Sequence, residues 1–330
     1  MRTCVSNVIC GIVFGRRFSH DDKQFLEVVA NISEDVKLLG NASTLMNCFP
    51  FLQYIPGDLL GTKTIIEHNH VLHKFLGDLY QSHQSTLDES YPRDFMDLFL
   101  IEMKRNSTLL SKEENTYSEA QLKVLVGELF GAGTETTSTT LLWVILYFLH
   151  YPDVQEKCFE EVQTVLGLEK SPSLEDRSNL PYTEATILET LRIAAVSPLA
   201  IPHATTRDVY FQGFRIPKES SILINLDSIF HDSEIFKDPG EFRPERFLDS
   251  SGQVIKPKEF IPFSCGRRIC IGEKVAQMEL LIFLTSMMQK FQFLPEDPCH
   301  LPDLEGNLGI AYSPKDFQVR IARRQDVKSY

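Results

Sequence analysis

Hydrophobic positions between Glu119 and His150 recur with a helical period: Leu122, Leu125, Val126, Leu129 and Phe130 stand at i, i+3, i+4, i+7 and i+8. At ~1.5 Å per residue such a segment is a rod of ~45 Å, long enough to cross a domain. Its middle, Gly131-Ala132-Gly133-Thr134-Glu135-Thr136-Thr137, is poor in helix formers, each Gly costing up to ~1 kcal/mol against Ala. A long helix weakened at its centre predicts that something packs against that centre. Amphipathic helices are also predicted from Pro152 to Val165 and from Tyr182 to about Ala194, the second stopping before Pro198. Residues 1–110 read as helices broken by Pro-Gly punctuation, and a last strong helix follows Cys270 and continues to Lys290. The β-like pieces are short: Val209–Phe211, Arg215–Ile216, Ser221–Asn225, and a hairpin from Gly309 to Arg320 around Ser313-Pro314. A Pro-rich, turn-heavy stretch occupies 239–262. The pattern predicts a mainly α protein with a small β component. With no internal repeat and no low-complexity linker, it reads as a single domain over 1–330.

Charge and composition narrow the function. A formal net charge of −12 excludes a general nucleic-acid binder, since no overall positive field attracts phosphate. Seven cysteines without a C-x-x-C pair argue against a disulfide framework and for a reducing compartment with one functional thiol. The apolar stretch in MRTCVSNVICGIVFGRRF is far shorter than the ~20 residues of a membrane span, as is Leu141–Leu149. The segment FPFLQYIPGDLLG at 49–61 reads either as a packed connecting loop or as a surface patch dipping into lipid.

The sharpest chemical signal is Phe263-Ser-Cys-Gly266-Arg-Arg268-Ile-Cys270-Ile-Gly272. A lone cysteine beside a helix start is ordinarily structural. Here glycines at −4 and +2 let the backbone turn tightly, so that N–H groups can point at the sulfur. The helix that follows puts its positive end beside the thiol. Arg268 can reach an anion on the same side, and Phe263 can shield the sulfur from water. A thiolate in a protected loop is what haem iron requires if O–O cleavage is to be driven electronically.

This segment resembles the haem-binding loop of the cytochrome P-450 superfamily, F-x-x-G-x-R-x-C-x-G, at every fixed position. Three further signatures follow the family's order. In Ala132-Gly133-Thr134-Glu135-Thr136-Thr137, Gly133 leaves room for a ligand, and Glu135 and Thr136 set an acid beside an alcohol. Read without context, the same two residues are a solvated acid and a hydroxyl bonded to its own helix. The resemblance implies that Thr136 serves oxygen activation and Glu135 delivers protons through water. Glu189-Thr-Leu-Arg192 followed by Pro244-Glu245-Arg246-Phe247 implies a buried network of Glu189, Arg192 and Arg246 that holds the cysteine loop. Ile201-Pro202-His203-Ala204-Thr205 implies that His203, with Arg268, binds the haem propionates, and that Val196, Leu199, Ala200, Ile201, Phe130 and Ala132 face the substrate.

HQSTLDESYPRDFMDLFLIEMK, PDVQEKCFEEVQ and LPYTEATILETLR are similar to microsomal family 2, and PYTEAT with PLAIPH to its subfamily U. The resemblance implies haem b with Cys270 as axial thiolate ligand, and insertion of one atom of O2 into an apolar substrate such as a long-chain fatty acid. The same resemblance implies electrons from NADPH through cytochrome P-450 reductase, at the cytosolic face of the endoplasmic reticulum membrane. It also implies a P-450 fold lacking its N-terminal third. The chain begins where the family's helix E would lie, without the anchor, the first helices or the W-x-x-x-R helix; Trp143 lies in the long helix and does not replace that tryptophan. Two other readings stay open: a haem-thiolate isomerase or dehydratase that needs no reductase, which the Glu135-Thr136 pair opposes, and an inactive fragment that binds haem poorly or acts only through protein contacts.

Overall fold

The computed structural model describes residues 1–49, 51–52, 57–58, 60–109 and 116–324, with backbone only over 41–48 and 108–109. Residues 50, 53–56 and 59 of the Pro-Gly segment lie outside the described residues, and with them the choice between packed loop and lipid-facing patch. Two compact units, Met1–Ser138 and Thr139–Tyr330, divide the chain.

The first unit contains α1 (Arg2–Phe14), α2 (Lys23–Cys48), α3 (Thr62–Thr86), α4 (Phe95–Leu109) and the first part of α5 (Glu119–His150). Its core is aromatic. Phe130 is fully buried against Phe14, Phe25 and Phe75, with ring centroids 5.9–6.4 Å apart. Phe18 stacks on Phe25 at 4.7 Å. The turn after α1 is closed by Gly15 in the left-handed region and by Asn7, whose side chain both donates to and accepts from the backbone of Phe18. Gly133, in the weakened centre of α5, receives α1: a Cβ there would lie 2.7 Å from Ile9 Cδ1.

The second unit is organised around α7 (Pro181–Ala194), buried along nearly its whole length and packed by α6 (Pro152–Leu166) and α9 (Glu273–Lys290). Thr186 and Thr190 donate their hydroxyls to the carbonyls of Tyr182 and Thr186, which is how polar residues occupy a buried helix without orphaned groups. Glu161 of α6 accepts the N–H groups of Tyr182 and Thr183 and so caps the first turn of α7. A short helix, α8 (Leu226–Phe230), starts at Asn225, whose side chain accepts from Ser228 N.

Four two-stranded antiparallel sheets complete the described residues: β1 (His203–Ala204) with β4 (Ser221–Ile222), β2 (Val209–Phe211) with β3 (Phe214–Ile216), β5 (Phe291–Pro295) with β8 (Val319–Arg323), and β6 (Gly306–Asn307) with β7 (Ser313–Pro314). The expected terminal hairpin is therefore corrected. Ser313-Pro314 is not its turn but a strand paired with Gly306-Asn307, and Val319–Arg323 pairs instead with Phe291–Pro295. Gln155 explains the choice, because its side-chain amide bonds both the N–H and the carbonyl of Phe293 and fixes β5 as a strand.

At Gly306 the backbone lies against Trp143 and Tyr312, and a Cβ would stand 2.5 Å from Ser313 O and 2.9 Å from Trp143 Cζ2. Backbone cannot yield as a flexible side chain can. Gly306→Ala is expected to cost ~1–3 kcal/mol of stability through overpacking, measured as a lower urea midpoint by far-ultraviolet circular dichroism.

Candidate haem-binding site

The cysteine loop belongs to the second unit. A tight turn at Gly266–Arg268 precedes Cys270, with Ser264 at φ 64° and Gly266 at φ 75°. The left-handed backbone at two nearby positions folds the segment back on itself, so that Cys270 N–H donates to Phe263 O at 2.9 Å. Gly272 then leads into α9, whose first turn has no side-chain cap. A Cβ at Gly272 would stand 3.8 Å from Cys270 Sγ, the only heavy atom it would meet among the described residues. Cys10 and Cys158 lie elsewhere, in the interior. Both are buried, and burial pushes their thiols up to about 12.

The loop fits a flat, largely apolar cofactor. Cys270 is exposed between Ile269 and Ile271, which are 48% and 91% exposed, and covering one such side chain is worth ~1.5–3 kcal/mol. Arg268 is exposed on the same loop, and Phe263 is half-buried behind it. His203 donates its Nδ1–H to Ile201 O, 2.7 Å away, which leaves Nε2 for an outside partner. Leu199 and Ile201 are exposed and Ala200 adopts φ 51°. Val196 departs from its expected place facing a substrate: it is buried, and its carbonyl accepts Tyr312 N–H at 2.8 Å.

Behind the loop lies a charge network. Glu189 and Arg192 are completely buried and pair bidentately at 2.8 and 2.9 Å. Glu189 Oε1 also accepts Arg246 Nε and the backbone N–H of Arg243, both at 2.9 Å. The guanidinium groups are satisfied by carbonyls of Phe230, Lys237, Asp238 and Glu241. One carboxylate and two guanidiniums leave an excess positive charge, which those carbonyl dipoles offset. Ala185, Leu188, Phe230 and Phe247 form the adjoining apolar core, with Phe260 and Ile261 packed on it just before Phe263. Glu245 points elsewhere, accepting from Lys157 and Tyr182.

The Glu135-Thr136 pair belongs to the first unit. Glu135 is buried, and its Oε1 accepts Arg2 Nε at 3.1 Å and Ser33 Oγ at 2.7 Å. Thr136 is exposed and donates to Ala132 O at 2.8 Å. Val124, Glu128, Ala132 and Thr136 make an exposed stripe at four-residue spacing. Among the described residues Phe130 is held inside the aromatic core, and Ile9 fills the space beside Gly133.

The comparisons with known proteins agree with this loop. The family model described as Cytochrome P-450 matches residues 1–321. The chain belongs to the cytochrome P-450 family. It is 41% identical to cytochrome P-450 2U1 of Homo sapiens over 322 residues, covering 97% of this chain and 58% of that one. Cytochrome P-450 2C5 of Oryctolagus cuniculus is 41% identical over 288 residues, 87% of this chain and 57% of the relative. Cytochrome P-450 2B12 of Rattus norvegicus is 37% identical over 326 residues, 98% and 65%. The chain is thus a microsomal family 2 P-450 similar to subfamily U, and it spans about three-fifths of the length of these curated relatives. The family's cofactor is haem b on an axial cysteine thiolate.

Sequence reasoning missed Glu279 of α9. It is 6% exposed, neither oxygen has a partner among the described residues, and burial raises its carboxyl to about 7. Folding therefore favours its protonated form, and stability falls as pH rises from about 4.5 to about 7. Glu279→Gln should remove that slope from the melting temperature and stabilise the protein at pH ~8. Glu189→Ala should cost ~3–5 kcal/mol in urea unfolding, because Arg192 would be left buried without its counter-charge.

Proposed function

We propose that this chain is the haem-binding part of a monooxygenase, with Cys270 as the axial ligand of the iron. The observation that carries this reading is the loop itself: an exposed thiol, an unobstructed Gly272 and two bare isoleucines at the start of a helix. Bound haem would supply activation of O2 and insertion of one oxygen atom into an apolar substrate. Phe263 would shield the sulfur, and Arg268 and His203 Nε2 would hold the propionates. Leu199, Ala200, Ile201 and Ala132 would offer apolar contacts to substrate, a long-chain fatty acid being the reading drawn from likeness to subfamily U.

Thr136 and Glu135 would handle protons. The Thr136 hydroxyl donates to Ala132 O and stands on the exposed face of α5, where water could reach it. Glu135, held by Arg2 and Ser33, would release its contact with one of them to reach a water. Glu189, Arg192 and Arg246 act on position alone, by fixing the segment that leads to the loop.

The same reading takes residues 1–330 as one domain, supported by a family match through 1–321. It takes electrons from NADPH through cytochrome P-450 reductase at the endoplasmic reticulum membrane, as in microsomal relatives. Among the described residues no helix is long and apolar enough to cross a membrane.

The test is the carbon monoxide difference spectrum of the reduced, haem-supplemented full chain. A strongly red-shifted Soret band that disappears in Cys270→Ser is the expected result. A band unchanged by that substitution would refute Cys270 as ligand. Absence of bound haem in the unaltered chain would favour the non-catalytic reading.

A further inference from the structure

We propose that His83 is a proton-dependent latch that joins the end of α3 to the start of α4 and to the end of α1. The argument begins with hydrogen-bond donors. His83 Nδ1 lies 2.8 Å from Leu79 O, and Nε2 lies 2.9 Å from Asp94 Oδ2. A carbonyl oxygen and a carboxylate oxygen are both acceptors, so both ring nitrogens must carry hydrogen for the two bonds to form together. The ring is then an imidazolium, enclosed with side-chain exposures of 6% for His83 and 1% for Asp94.

Charge counting points the same way. Asp97, also buried, is taken by Arg93 through Nε at 2.6 Å, Nη2 at 2.8 Å and its backbone N–H at 3.1 Å. With His83 protonated, the four groups Asp94, Asp97, Arg93 and His83 sum to zero. Without that proton a buried negative charge on Asp94 has no counter-charge, a state the low-dielectric interior penalises. The carboxyl of Asp94 has a second task, since Oδ1 accepts Asp97 N–H at 2.9 Å and caps α4. Its Oδ2 lies where a Cβ on Gly15 would stand, 2.5 Å away, so the turn that ends α1 rests directly on this carboxylate. One proton therefore sits at the junction of three helices.

Among the described residues no other cation of the packed elements is recorded on Asp94. From the turn after α1, Arg16 lies over the Phe18 ring at 4.3 Å. From α2, Asp35 is engaged by His68. From α5, Lys123 pairs with Glu119 and lies over Tyr80 at 5.3 Å. From α4 come Asp94 and Asp97, with Arg93 already on Asp97. Burial by itself opposes charge on the ring, but the Asp94 hydrogen bond, the Leu79 carbonyl and the two carboxylates outweigh it and raise the His83 pKa. A raised histidine stabilises fully below the unfolded value of ~6.5, and its contribution is lost as pH climbs through the higher folded value. The latch is closed while the ring is protonated and opens as pH climbs through the raised folded value, freeing the connection between Thr86 and Asp94.

The test uses the full chain labelled with 15N-histidine, titrated by long-range proton–nitrogen correlation. Of the nine histidines, His83 is expected to keep the imidazolium signature, two equivalent protonated nitrogens, to a pH above ~6.5. His83→Gln should delete that signal, and Asp94→Asn, which retains the ring, should move its midpoint downward. In the unaltered protein, deuterium exchange of peptides spanning 79–97, corrected for intrinsic base catalysis, should accelerate over the same alkaline interval. The proposal is overturned if every imidazole titrates at or below ~6.5, or if protection of 79–97 stays flat from pH 6.5 to 9.

Discussion

The buried charges of the second unit converge on one carboxylate. Glu189 receives two guanidiniums and a backbone N–H at 2.8–2.9 Å, with no access to water. It thereby gathers α7 and residues 230–247 around a single point. A surface ion pair of the same composition would contribute less than ~1 kcal/mol and position nothing. Burial changes its character, since each member becomes indispensable to the others. The apolar core beside it carries that rigidity forward through Phe247 and Phe260 to the residues just before the cysteine loop. The stability comes from the packing; the network makes that packing unique.

The loop shows the opposite economy. Its order comes from backbone, through the Cys270–Phe263 hydrogen bond and two left-handed residues, and its side chains are left uncovered. A site built this way is rigid where it must present sulfur and bare where a large apolar partner must land. The first unit follows the same division: a fully buried aromatic core on one side of α5, and Ala132 and Thr136 exposed on another.

Much of this was legible in the residues. The 32-residue helix α5 spans the segment from Glu119 to His150 that the period of Leu122 to Phe130 predicted, and the spacing from Phe263 to Gly272 identified the loop. Glu189 and Arg192, one helical turn apart, announced a pair, although the backbone N–H of Arg243 that completes it carries no side-chain signal. What stayed hidden depends on partners distant in sequence. Whether Gly133 admits a ligand or another helix is decided by Ile9, and Phe130 is core because Phe14 and Phe75 surround it. Phe291–Pro295 became a strand through Gln155, 138 residues away, which no local pattern reports. Glu279 sits among helix-forming residues and reads as a solvated acid until its burial is known.

Trp143 has a consequence of another kind. It is the chain's one tryptophan, fully buried in the second unit, stacked between Tyr147 and Tyr312, with its indole N–H donating to Tyr312 O at 3.0 Å. The protein therefore carries a single-site optical probe needing no engineered label. Its emission describes the surroundings of α5 and the β6–β7 sheet alone, so the folding of that unit can be followed separately from events among α1–α4.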